Sequence, residues 1–226
     1  AGSLGWIDSA APAVCPDLGD DAGQEDAAHA IRGVSQAFVD GFDLEHTMVT
    51  FTAPDYTPCV SFGVEEFPVS PAGGTVLPFR YSYDPVQEVR FSRGFRFPFG
   101  GHFYNSAYLN YNGFLTFDEP DEDVFPSLRS HFQRPRISIL YSDLRLSNEE
   151  TLISWKQFPD RVTFTFSGLS DSSFQLSLLS NGAVSMTFLA VSDTKSTKIV
   201  GISTGVTGAL AHLSTSGLCG ADSWQQ

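Results

Sequence analysis

The chain is poor in the residues that most protein chemistry starts from. It has three cysteines in 226 residues, Cys15, Cys59 and Cys219, far apart and without a Cys-x-x-Cys pair. That spacing excludes a metal-thiolate framework. In an oxidising compartment it predicts one disulfide and one leftover thiol, the latter free to bond another chain. Cys15, Cys59 and Cys219 leave the pairing open. Bases are scarce as well: 13 Lys and Arg stand against 26 Asp and Glu, a net charge of −13. Nucleic acid and anionic membrane surfaces are therefore poor partners. No apolar run approaches the roughly 18–20 residues that a membrane-spanning helix needs. No Asn-x-Ser/Thr sequon occurs, because Asn105-Ser106-Ala107 fails at its third position. No signal peptide is visible, and a start at Ala1-Gly2 without Met reads as a processed or truncated chain.

What is abundant is phenylalanine, twenty copies, in a chain only 17% charged. That composition belongs to a packed β protein and not to a disordered one. Phe95, Phe97 and Phe99 alternate with Arg96 and Pro98, the two-residue period of a strand with one buried face. Pro98 cannot donate to a ladder, so this strand belongs at an edge or ends early. Gly100-Gly101 breaks it. Ala107–Tyr111 then meets Phe114–Phe117 through Asn112-Gly113, a hairpin signal. A two-residue loop would scatter the apolar residues over both faces. A three-residue loop, Tyr111-Asn112-Gly113, pairs Leu109 with Leu115 and Ala107 with Phe117, making one apolar face with Gly113 left-handed. The same logic at Ser180-Asn181-Gly182 sets Phe174 opposite Phe188, Leu176 opposite Met186 and Leu178 opposite Val184.

These stretches carry a family likeness. Phe-x-Phe-Pro-Phe-Gly at 95–100, then Tyr104-Asn-Ser-x-Tyr-Leu-Asn-x-Asn-Gly-Phe-Leu-Thr-Phe117, resembles the nidogen-like modules of secreted proteins. It is also similar to the related module of plexin-domain-containing proteins and of microbial surface proteins. Pro135–Asp143, Arg161–Phe166, Phe174–Leu178 with Asn181-Gly182, and Val200–Ile202 follow in the family's order. The likeness covers about Val76 to Thr204; Tyr141 stands where the family has a tryptophan two residues before Asp143. The resemblance implies an extracellular or cell-surface location, as a non-catalytic structural or adhesion module. Its partners would be other extracellular proteins or copies of itself.

The remaining runs fit an antiparallel β-sandwich with short hairpins. Strands are expected at Thr47–Thr52, Cys59–Val64, Val76–Tyr83, Val89–Phe99, Arg136–Tyr141, Leu152–Lys156, Arg161–Phe166 and Lys198–Ser203. Residues 1–55 hold ten acids against one base, Arg32, and Ala1 to about Asp26 lacks sustained periodicity. Within this acidic extension Ala27, Ile31, Val34 and Phe38 fall near one face of a short helix over Ala27–Val39. The Pro-Gly cluster Pro68–Gly74 marks a boundary. It divides an extension, 1–75, from a module, 76–226, with a Gly/Ser-rich tail after Thr204. Two strands are marginal alone, so Thr47–Thr52 and Cys59–Val64 are expected to dock on the module, in the same chain or on a neighbouring copy.

Little points to catalysis. Gly201-Ile-Ser-Thr-Gly205 matches Gly-x-Ser-x-Gly around Ser203, but the only histidine and the only acid after it, His212 and Asp222, come in the wrong order. His29, His46, His102, His131 and His212 show no ligand spacing. The chain reads as no enzyme and calls for no cofactor. Asp118, Asp121 and Asp123 in the acidic loop are the one candidate Ca²⁺ site, hard oxygen donors after a strand. Without the alternation and glycine of an EF-hand, the loop reads first as solvated. Tyr104, Tyr108 and Tyr111, with Phe114, form a candidate glycan-stacking face, against a preferred reading as a second buried layer.

Overall fold

In a computed structural model, residues 33–39, 41–79, 85–92, 94–146, 151–192 and 196–205 are described. The strands run β1 Gly33–Phe38, β2 Thr47–Thr52, β3 Thr57–Phe62, β4 Thr75–Val76, β5 Val86–Arg90, β6 Phe97–Phe99, β7 His102–Tyr104 and β8 Ser106–Asn110. They continue as β9 Phe114–Thr116, then, after helix α1 Leu128–Phe132, β10 Pro135–Tyr141, β11 Leu152–Gln157, β12 Arg161–Leu169, β13 Ser172–Leu179, β14 Val184–Ala190 and β15 Lys198–Thr204. All pairings are antiparallel. One sheet has the order β1-β15-β10-β9-β8-β5 and a second β3-β2-β14-β13-β12-β11-β4. They pack face to face around one apolar cluster. Leu109, Leu115, Ile137 and Ile202 come from the first sheet, and Phe164, Phe166, Leu176, Met186 and Phe188 from the second.

Both Asn-Gly hairpins take three-residue loops. Leu109 faces Leu115, and Phe174, Leu176 and Leu178 face Phe188, Met186 and Val184. Those last six side chains are fully buried, worth roughly 1.5–3 kcal/mol each before entropy is charged. Gly113 and Gly182 are left-handed, at φ +80° and +89°. The glycine pair makes a third hairpin: Gly100 and Gly101, both at positive φ, turn β6 into β7 with Phe99 facing His102. Pro98 lies in this isolated two-stranded ladder, where a missing N–H does little harm. Its rings close the core, with Phe97, Phe99 and Tyr104 packed on Phe117.

The helix expected over Ala27–Val39 is corrected in its described part. Gly33–Phe38 is a strand, paired residue for residue with β15; residues 27–32 lie outside the described residues. The cause is geometric. Val34 and Phe38 are four apart, which returns to one face both in a helix and after two strand periods. The open edge of β15 decides between them. Gly33 fits because its neighbours leave no room: an added Cβ would stand 2.8 Å from the Phe132 ring. Two other strands are shorter than expected. Val76–Tyr83 begins as the two-residue β4, with 80–83 outside the described residues, and Val89–Phe99 divides into β5 and β6. β2 pairs with β14 and β3 with β2, so both lie in this chain's larger sheet. Val34, Phe38, Val49, Phe51 and Val60 join the common core.

Candidate functional site

The acidic stretch after β9 is neither strand nor free loop. With α1 it forms a strap across the outer face of the smaller sheet, between β9 and β10. Successive side-chain-to-backbone bonds fasten it. Thr116 Oγ1 donates to the Glu119 carbonyl at 2.6 Å, Asn110 Nδ2 to the Asp121 carbonyl at 2.8 Å, and the Tyr141 hydroxyl to the Phe125 carbonyl at 2.7 Å. Inside the strap, Asp121 accepts from the Asp123 N–H and Asp123 from the Phe125 N–H, at 2.9 and 3.1 Å. Such Asx bonds fix the backbone where no ladder can. Helix α1 is one turn, capped by Ser127, whose Oγ accepts from the Ser130 N–H at 3.0 Å.

Beneath the strap lies a charged group that strands seldom bury. Arg136 on β10 is 1% exposed. Its guanidinium lies 4.4 Å from the centroid of the Phe114 ring and 5.1 Å from that of Tyr141. It donates to the Asp121 carboxylate, which also pairs with Arg134 Nε at 3.2 Å; Arg134 Nη1 reaches Glu119 at 2.9 Å. Cation–π contact and a carboxylate together offset the desolvation of a buried cation. Asp123 accepts from Ser130 Oγ at 2.6 Å. Burial pushes its carboxyl up, but bonds from Ser130 and the Phe125 N–H, with the nearby Tyr141 hydroxyl and the Arg136 charge, outweigh this and hold its pKa below the ordinary value. His131 on α1 is fully enclosed, its Nδ1 2.8 Å from Ser138 Oγ on β10. Burial and the Arg136 charge lower its pKa to about 3.

The outer surface of the strap contrasts with this underside. Asp118, Glu119 and Glu122 face solvent beside Phe125, whose 73% exposure exceeds that of every other large apolar residue among the described ones. A held backbone thus presents one aromatic ring within an acidic fringe.

The candidate residues from sequence are distributed unevenly. Asp118 accepts from the Glu119 N–H, Asp121 serves the two arginines, and Asp123 serves α1. Among the described residues no group of three or more His, Cys, Asp or Glu is arranged to hold a metal ion. The tyrosines sit in three environments. Tyr104 lies on β7 against Phe117, Tyr111 packs in the hairpin turn against Phe79, and Tyr108 on β8 stands between Glu88 and Thr116 in register. Phe114 belongs to the layer under the strap with Tyr141 and Ile199. Ser203 is a buried residue of β15, opposite Gly33, with its Oγ accepting from the Gly205 N–H. Cys59 is buried on β3; Cys15 and Cys219 lie outside the described residues.

Sequence reasoning passes over Arg136, His131 and Phe125. One signal was available: Arg136 and Ser138 alternate with Ile137 and Ile139, so one face of β10 carries a charge in mid-sheet. Nothing in sequence says that a strap covers that face.

A family model described as NIDO related matches residues 64–218. No curated protein and no solved structure matches the chain. Strands β1 to β3 precede the matched range, yet β1 completes one sheet while β2 and β3 extend the other.

Proposed function

The chain belongs to the NIDO-related family, and from that premise we propose that it is a non-catalytic, secreted or cell-surface module that binds other extracellular proteins or copies of itself. The family points to an extracellular module, and no helix among the described residues is long and apolar enough to cross a membrane. One observation carries the reading: the strap holds Phe125 outward, its N–H bound to Asp123 and its carbonyl to Tyr141. An exposed aromatic on a preorganised loop is what an interface anchor requires, because little ordering entropy remains to be lost on contact. The acidic fringe favours a partner with a basic surface.

In this reading residues 1–75 are a segment that completes the module and not a domain of their own. A disulfide from Cys59 ties that segment down. Cys59 is buried in β3, where a bridge is shielded from solvent, which supports this reading. No cofactor takes part.

The test is adhesion of protein-coated beads to matrix-coated surfaces and to one another, for the natural chain and Phe125→Ala. Binding by the natural chain that falls about tenfold in the variant, at an unchanged unfolding midpoint, is expected. Equal binding by both would remove the strap from the interface.

A further inference from the structure

The larger sheet ends, at its β11-β4 edge, in a cleft. Gly73, Thr75, Ser92, Trp155, Lys156, Gln157 and Phe158 line about 390 Å³, toward the lower end of the roughly 300–1,000 Å³ of small-molecule sites. Its walls are fixed by bonds among themselves. Gln157 Oε1 accepts from the Ser92 N–H at 2.7 Å, and Gln157 Nε2 donates to the Ser92 carbonyl at 2.6 Å. Lys156 Nζ donates to the Ser70 carbonyl at 2.6 Å, and the Phe158 N–H to the Arg161 carbonyl at 2.8 Å. The turn that carries Gly73 is closed by the Gly74 N–H on the Pro71 carbonyl at 3.0 Å.

Two kinds of group are left for a ligand. The first is apolar: the half-buried Trp155 indole and the Phe158 ring, 38% exposed. The second is polar: among the described residues neither the Trp155 indole N–H nor the Thr75 hydroxyl has a hydrogen-bond partner. Among the described residues no acid lines the cleft, although the chain carries a net charge of −13. We propose that this cleft binds a pyranose sugar, its C–H face on Trp155 and Phe158 and its hydroxyls on the Thr75 Oγ and the indole N–H.

The chemistry selects a sugar. An aromatic shelf matches the weakly polarised C–H face of a pyranose, and isolated donors match ring hydroxyls. A phosphorylated ligand would meet one lysine among the described residues and a strongly negative protein. Trp155 is held within β11 against the core and Phe158 in the β11–β12 turn, so little is spent on ordering them. This site goes beyond the protein-contact reading, and its test is independent of that surface, because Phe125 lies elsewhere.

The experiment is saturation-transfer NMR on the full chain with glucose, galactose, N-acetylglucosamine and glucuronate as probes. Saturable transfer to at least one sugar is expected, with resonances on one ring face receiving most. Phe158→Ala is expected to weaken binding about tenfold and Thr75→Val several-fold. Both sites are at the surface, so folding is preserved, whereas Trp155→Ala, which also packs on the core, requires a matched circular dichroism spectrum before its loss of binding counts. Tyr108→Ala and Phe125→Ala are expected to leave sugar binding unchanged. Transfer to none of the four sugars, or binding that survives Phe158→Ala and Thr75→Val but disappears with Tyr108→Ala, would overturn the proposal.

Discussion

The turns at Asn112-Gly113 and Asn181-Gly182 have the same loop length, the same left-handed glycine and the same opposed apolar residues, yet their surroundings differ completely. Asn181 is exposed and bonds only within its turn, its Oδ1 accepting from the Ala183 N–H at 3.0 Å. Asn112 is fully buried. Its Oδ1 accepts from the Leu144 N–H at 3.0 Å, and its Nδ2 donates to Asn110 Oδ1 at 3.1 Å. The Gly113 carbonyl accepts from both Ile139 and Leu140, where β10 bulges against β15. One turn reverses a chain and reaches a neighbouring turn through the Ser180 N–H on the Asp160 carbonyl at 2.8 Å. The other ties hairpin, strap and β10 into one body. Identical local geometry therefore carries very different energetic weight, decided by what lies across it.

The largest expected difference comes from the same substitution at both glycines. A Cβ on Gly113 would stand 2.2 Å from the Leu140 carbonyl oxygen, a backbone atom that cannot step aside, whereas on Gly182 its nearest neighbours are at 3.2 Å. Gly113→Val is expected to cost about 4 kcal/mol or more. Gly182→Val is expected to cost about 1–3 kcal/mol from positive φ alone. Urea unfolding of both variants measures the gap, and equal costs would break the comparison.

A smaller effect sharpens it. If the strap is what seals the first turn, Asp121→Asn leaves Arg136 buried without its carboxylate. A loss of about 3 kcal/mol is expected, together with faster proteolysis between residues 118 and 134. The second hairpin should keep its hydrogen-exchange protection at Leu176 and Met186. Exchange that rises equally in both hairpins would show that the strap has no local role.

The mildest test is pH. The folded pKa of His131 lies near 3, below the ordinary 6.5. The unfolded chain thus binds the extra proton between these values, and the stability held above pH 6.5 declines as pH falls toward 3. The urea midpoint is expected to drop from pH 7 to pH 5, and His131→Gln to flatten that slope. Asp123, held below its ordinary value, adds its own loss only below about pH 3.8. A midpoint that stays level from pH 7 to 5 would mean that α1 opens without cost.

Sequence alone determined the parts governed by short-range rules. The strand period, the glycines that must turn left-handed, the three-residue loops and the pairing of Phe174 with Phe188 all follow from which residues can share a face within a few positions. The family likeness followed from the same stretches. Only tertiary structure decided the rest. The four-residue spacing of Val34 and Phe38 suits helix and strand alike until the edge of β15 is available. Asp121 finds Arg134 and Arg136 only when the fold brings them in from fifteen or so residues away. Trp155, Thr75 and Ser92 share a cleft only because β4 pairs with β11 and Gln157 bonds Ser92. Period and turn chemistry are properties of neighbours in the chain, whereas burial, charge pairing and clefts belong to neighbours in space.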